Sequence, residues 1–210
     1  MKHTNESGRS MVEMLGVLAI VGVLSVGAIA GYSKAMMKYK INKTTDQISM
    51  LVSNIRTTFS SQGNYAGLEN SRFVVSEDMI KNGTLRNAFN GNIYFTSNTL
   101  NSGDTNGNEA FIIAYSGLPK EACITLATAD WGSSQSSGLI AIAIDYVSDE
   151  GSLVGDVSDF YTDTPSNTSL PLGTAMPGNK TKPTPMPVAE AVEACSNEGG
   201  DTLSIVWKYH

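Results

Sequence analysis

The sequence predicts an α+β protein in which one long N-terminal hydrophobic α-helix packs its C-terminal half on an antiparallel β-sheet, with a cysteine-bounded region toward the C-terminus. Three observations carry this. Met14 to Ser33 contains no charged residue. Beyond it, Met37, Ile41, Ile48, Val52, Ile55 and Phe59 recur at helical spacing. Further on, alternating or continuous apolar runs separated by Gly, Asn and Pro read as strands and turns.

The apolar run comes first. A helix needs roughly 20 apolar residues to cross a bilayer, whereas a secretory signal core needs only about 7 to 15. A cleaved signal should show its small-residue site after the run. Here the chain reads Gly31-Tyr32-Ser33-Lys34-Ala35-Met36-Met37 and continues as a helix, so the segment is expected to be retained. Gly16, Gly22, Gly27 and Gly31 weaken a helix in water but let helices approach closely in lipid, and Gly27-xxx-Gly31 has the small-xxx-small spacing. The positive charges, Lys2 and Arg9 before the run against Lys34, Lys38, Lys40 and Lys43 after it, favour a cytoplasmic C-terminal part. The two cysteines favour export, and the lysines are explained by one face of the continuing helix.

With that continuation the helix is expected to run from about Arg9 to Ser61 and to end near Gln62-Gly63-Asn64. At 1.5 Å per residue such a helix is on the order of 80 Å long. Its stripe suits it to lie against a sheet.

Val75 to Ile80 reads as a short helix with Ser76 as N-cap, closed by Asn82-Gly83. Asn92 to Thr96 and Glu109 to Tyr115 read as strands around a polar loop. A helix begins at Pro119, taken as a first-turn proline, and carries Cys123, Leu126 and Ala127 on one side. Leu139 to Tyr146 is a buried strand by its length and its isoleucines. Residues 148–187 form a polar, proline-containing excursion. Val188 to Cys195 is a short helix, and Thr202 to Tyr209 alternates as a strand.

With a net charge of −6 and 14 Lys and Arg, the soluble part is acidic and offers no basic groove for nucleic acid. Cys123 and Cys195 are the only cysteines; an even count in an exported chain suggests one disulfide, with two buried thiols as the alternative. No cofactor, metal or catalytic site is expected. In Asp104-Thr105-Asn106-Gly107-Asn108, Glu109 stands where a calcium loop needs glycine and Tyr115 where it needs an acid, so the stretch reads as a hairpin tip. His3 and His210 stand near the two ends, and Trp131 and Trp207 read as core or surface anchors.

Gly8 followed by Arg9-Ser10-Met11-Val12-Glu13 and an uncharged helix resembles the class III signal of type IV prepilins. The likeness to the type IVb group extends to Lys81-Asn82-Gly83, Asn90-Gly91-Asn92, a helix bearing the first cysteine over 118–129, and a second cysteine before the final strand. Arg9 replaces the usual hydrophobic first mature residue, and Ala30 stands where many pilins have a proline. The resemblance implies a type IV pilin-like fold, a leader peptide over 1–8 cut after Gly8 by a prepilin peptidase, and N-methylation of Arg9. A membrane and assembly helix over 9–34, its amphipathic half over 35–62 and a globular head over 63–210 with a 123–195 disulfide-bounded region follow.

The implied function is that of a non-enzymatic pilus subunit for adhesion, aggregation, motility or DNA uptake. Its partners are other copies of itself, the inner-membrane assembly machinery and membrane lipid before assembly. The prepilin sits in the bacterial inner membrane with a periplasmic head and ends in an extracellular filament. Glu13 then has a physical role: in a bundle of staggered helices its carboxylate meets the new amine of a neighbouring Arg9 and sets the register. Two alternatives stand at this point, a minor pilin or pseudopilin of a type II secretion-like system and a membrane-anchored periplasmic binding protein.

Overall fold

The computed structural model describes residues 7–68, 74–81, 83–98, 108–132, 137–147, 160–162, 185–196 and 202–210. The chain divides into two compact units, Met1–Lys40 and Ile41–His210. The predicted polar loop between the first two strands and most of the 148–187 excursion lie outside the described residues.

Helix α1, Ser7–Phe59, supplies nearly all of the first unit. No proline interrupts it, so every backbone donor past the first turn can pair four residues back. Its apolar residues from Met11 to Tyr32 are exposed, Val23 to 77%. Polar groups within this stretch are absorbed by the helix, since Ser25 Oγ donates to the Val21 carbonyl at 2.7 Å and Ser33 Oγ to that of Ile29 at 3.0 Å.

In the second unit, α1 buries Ile41, Thr44, Gln47, Ile48, Leu51, Ile55 and Phe59. This corrects the apolar stripe in two ways. Val52 and Met37 lie on its flanks, half-buried, and the centre includes two polar residues that a reading of hydrophobicity passes over. The helix stops at Phe59, slightly earlier than expected; Gln62 N donates to the Phe59 carbonyl and Gly63 takes φ +67°.

The segment expected as a helix over 75–80 is different. Only Glu77–Met79 forms a single 3₁₀ turn. Ser76 spends its hydroxyl on the Asp78 carboxylate and makes no cap bond to the backbone. Strands β1, Ile80–Lys81, and β2, Thr84–Leu85, then pair as a small hairpin in which Gly83 takes φ +77°. Asn82 lies outside the described residues.

The main sheet contains β3 (Ile93–Asn98), β4 (Ala110–Ser116), β5 (Leu139–Val147), β6 (Phe160–Thr162) and β7 (Thr202–Tyr209), in the order β3-β4-β7-β5-β6. Every neighbouring pair is antiparallel. Phe111 faces Tyr209 and Ile113 faces Trp207 across β4 and β7, and a register irregularity between Leu139 and Ala141 adjusts β5 to β7. Alternation gives the sheet two unlike faces. On one, Phe111 stacks on Tyr209 with ring centroids 5.5 Å apart, and Tyr115 and Trp131 both meet the Trp207 ring edge-on. Phe59 of α1 joins this face through Tyr65, which packs on Phe111. The other face is aliphatic, with Ala110, Ile112, Ala114, Ile140, Ala141, Ala143 and Val206. Both are buried.

Helix α2, Lys120–Ala127, buries Ala122, Cys123, Leu126 and Ala127. Pro119 is its extended N-cap, with φ −68° and ψ 152°, and not a residue of the first turn as the sequence suggested. Helix α3 is Val188–Ala194.

One loop is fixed by backbone proximity. Asn87, fully buried, donates from Nδ2 to the Ser116 carbonyl at 2.7 Å and accepts at Oδ1 from the amides of Phe89 and Gly91. A Cβ on Gly91 would sit 1.8 Å from that same carbonyl oxygen. The obstacle is backbone and cannot rotate away. Gly91→Ala should therefore destabilise the head by about 1–3 kcal/mol, seen as a lowered melting temperature of the full chain in detergent.

Candidate functional site

The residues singled out from the sequence occupy two places. Gly8 and Arg9 lie within α1, and the Arg9 side chain lies outside the described residues. Glu13 is exposed on α1 at the edge of the uncharged stretch. Gly16, Gly22, Gly27 and Gly31 follow; apart from the helix's own backbone, a Cβ at any of them would meet no atom within 4 Å among the described residues, and such flat surfaces suit close approach by another helix. Among the described residues α1 is the one helix long and apolar enough to cross a membrane, with a mean hydropathy of 2.3 over its most apolar window. Chemically, this is an apolar surface with one carboxylate at its edge, suited to lipid or to other apolar helices.

The second place is the disulfide. Cys123 in α2 is bonded to Cys195, which follows α3, with Cα atoms 6.1 Å apart and both residues buried. The same two helices are tied where Met186 N donates to the Ala127 carbonyl at 3.3 Å. Trp131 Nε1 donates to the Leu126 carbonyl at 2.8 Å, which seats the indole over α2's end and against Trp207. The bridge therefore joins two helices that pack on each other, of which α2 also packs on β7.

Fastenings that the sequence did not reveal hold α1 to this head. The Arg56 guanidinium lies 5.3 Å from the Tyr209 ring centroid and donates to the His210 carbonyl at 3.0 Å. Asn54 Nδ2 donates to the Val74 carbonyl at 2.8 Å. Lys43 Nζ stands 3.3 Å from Asp78 Oδ2, and Gln47 Nε2 donates to the same oxygen. Lys43, Gln47 and Asn54 fall four and seven residues apart, on one side of the helix, which is the signal that could have found them.

Asp78 carries a pH dependence. The Ser76 hydroxyl, with Gln47 and Lys43 adding to it against the opposing effect of burial, holds its carboxyl below the ordinary value of 3.8. A depressed folded pKa contributes stability that is present above the unfolded value and is lost as pH falls through the folded one. Asp78→Asn should thus narrow its stability deficit against wild type as pH falls below about 4. Melting curves of both full-length proteins across acid pH check this. Burial also pushes the hydroxyls of Tyr115 and Tyr209 well above the usual tyrosine range.

Among the described residues no group of three or more His, Cys, Asp or Glu could hold a metal ion. The Asp104–Gly107 part of the calcium-like stretch lies outside them. Trp207 is core, fully buried.

A helix with an exposed, apolar half and a buried half seated on an antiparallel, disulfide-bounded sheet is the construction of a type IV pilin. Residues 38–156, more than half of the chain, match the protein family described as PilS N terminal, and the chain belongs to that family.

The toxin coregulated pilin of Vibrio cholerae is 28% identical over 135 residues, 60% of this chain and 59% of that protein. The major structural subunit of bundle-forming pilus of Escherichia coli O127:H6 is 28% identical over 142 residues, 64% of this chain and 70% of that protein. The match thus spans about three fifths to seven tenths of these relatives' length. Among solved structures, TcpA, a type IV pilin from the Vibrio cholerae El Tor biotype, aligns with 82% of this chain and 99% of its own, at 20% identity and a TM-score of 0.49.

Proposed function

We propose that this chain is the structural subunit of a type IV pilus of the IVb group. It is made as an inner-membrane prepilin with its head in the periplasm, and prepilin peptidase cuts it after Gly8. The new amine at Arg9 is the N-methylation site, and the mature chain is polymerised by the pilus assembly machinery into an extracellular filament. Segment 9–34 is then the membrane and assembly helix. The observation that carries the reading is the α1 surface itself: apolar residues exposed throughout Met11 to Tyr32, four glycines whose Cβ positions meet nothing but their own helix among the described residues, and the single carboxylate of Glu13. Before assembly lipid covers that surface; afterwards the same surface of neighbouring subunits does.

Immunogold labelling of sheared surface filaments tests the polymer, with unlabelled filaments counting against it. Processing is tested separately: mass spectrometry of the filament subunit should give a chain starting at Arg9, with a methyl group on its amine. An intact Met1 to Gly8, or a start after Gly31, would contradict it.

A further inference from the structure

The lysines beyond the apolar run are of two kinds. Lys43 is paired with Asp78, and Lys40 is half-buried. Lys34 and Lys38 are exposed, and among the described residues neither makes an ion pair. They stand one turn apart and so share a side of α1. Tyr32 and Tyr39, two turns apart on another side, are exposed as well. Burial within the chain accounts for none of these four side chains.

Their level along the helix is equally specific. Helix α1 is unbroken from Ser7 to Phe59, and its rise puts Lys34 about 32 Å from Glu13 along the axis. The hydrocarbon core of a bilayer is about 30 Å thick. A helix that crosses it with Glu13 at one border therefore brings Lys34 to the other border and Lys38 about 6 Å beyond, among the headgroups. Tyrosine rings gather at that level because one end is apolar and the other wet, and lysine stems carry their ammonium groups out to it.

We propose that Tyr32, Lys34, Lys38 and Tyr39 form a collar that holds the headgroups of anionic phospholipids in the leaflet facing the head. This rests on the reading of α1 as a membrane helix with its head in the periplasm. The ammonium groups pair with the negative headgroups, and the rings fix the depth. The acidic head of a second copy would also attract the lysines, but it gives no reason for exposed rings at the apolar border; a lipid interface accounts for both.

The test uses the full-length chain in bilayers of phosphatidylglycerol and phosphatidylcholine in equal parts, with spin-labelled lipids reporting which headgroup the protein retains. Wild type should hold phosphatidylglycerol over phosphatidylcholine, and added salt should weaken that preference. Lys34→Gln/Lys38→Gln should lower it several-fold, while Lys120→Gln, exposed on α2, leaves it unchanged. No preference in wild type, or an equal preference in the double variant, overturns the proposal. An equal preference joined to loss of surface filaments does so as well and assigns the lysines to a neighbouring subunit. Release of the wild-type chain by an alkaline carbonate wash, which is read without regard to lipid type, overturns the membrane reading together with the collar.

Discussion

Glu13→Gln is expected to leave the protein at its normal level in the membrane fraction and to abolish surface filaments. Glu13 is the one charged residue between Ser10 and Ser33, and it is exposed at the edge of the apolar stretch. A carboxylate drawn toward the centre of a bilayer costs about 2.5–3.5 kcal/mol on insertion scales. Glutamine keeps its shape without that cost, so insertion should survive. What the amide lacks is charge to pair with the amine of a neighbouring subunit, and in an apolar bundle that pairing distinguishes one axial register from others equally well packed. Quantifying sheared filaments beside the membrane-bound pool separates the two steps. Normal filaments from Glu13→Gln would sink the register role, and loss of the membrane pool would reassign the carboxylate to insertion.

Cys195→Ser is expected to destabilise the head by roughly 4 kcal/mol, the chain-entropy value for a bridge closing the 72-residue separation of Cys123 and Cys195. Small domains have about 5–15 kcal/mol in total, so the variant should insert in the membrane yet be degraded or fail to form filaments. The loss is local as well as global. Without the bridge, the fastenings that remain here include the Met186–Ala127 bond and the packing of α3 on α2. Limited proteolysis and the melting temperature of the full chain read the effect. Ready alkylation of both cysteines in assembled wild-type material, without reductant, would show that the bridge does not form in the filament.

Elements whose cause is local were legible in the sequence. The unbroken apolar and amphipathic pattern announces α1, the isoleucine-rich run announces β5, and strict alternation announces β7. What stayed hidden depends on partners distant in the chain. Ser76 offers itself as a helix cap, but Asp78, held by Lys43 and Gln47 of α1, draws its hydroxyl away, and the predicted helix shrinks to one turn. Thr44 and Gln47 look like solvent-facing residues because only the packed sheet reveals that they sit inside the stripe. Lys208 is similarly misleading, since a lysine in an alternating strand reads as exposed and here is buried. For the proposed assembly surface, glycines and carboxylate were both legible in the sequence; the structure added that a Cβ on these glycines would meet no neighbouring side chain among the described residues.

The strand order β3-β4-β7-β5-β6 places β7 between β4 and β5, although it follows every other strand of the sheet in sequence. During synthesis, β4 and β5 are therefore delivered well before the strand that joins them. Until then each presents an open edge of unpaired amides and carbonyls, a template for wrong partners. Such long-range pairing is slow to form. In the export proposed above, with α1 as the anchor, a head of this design needs a period of protection until its final segment has crossed the membrane.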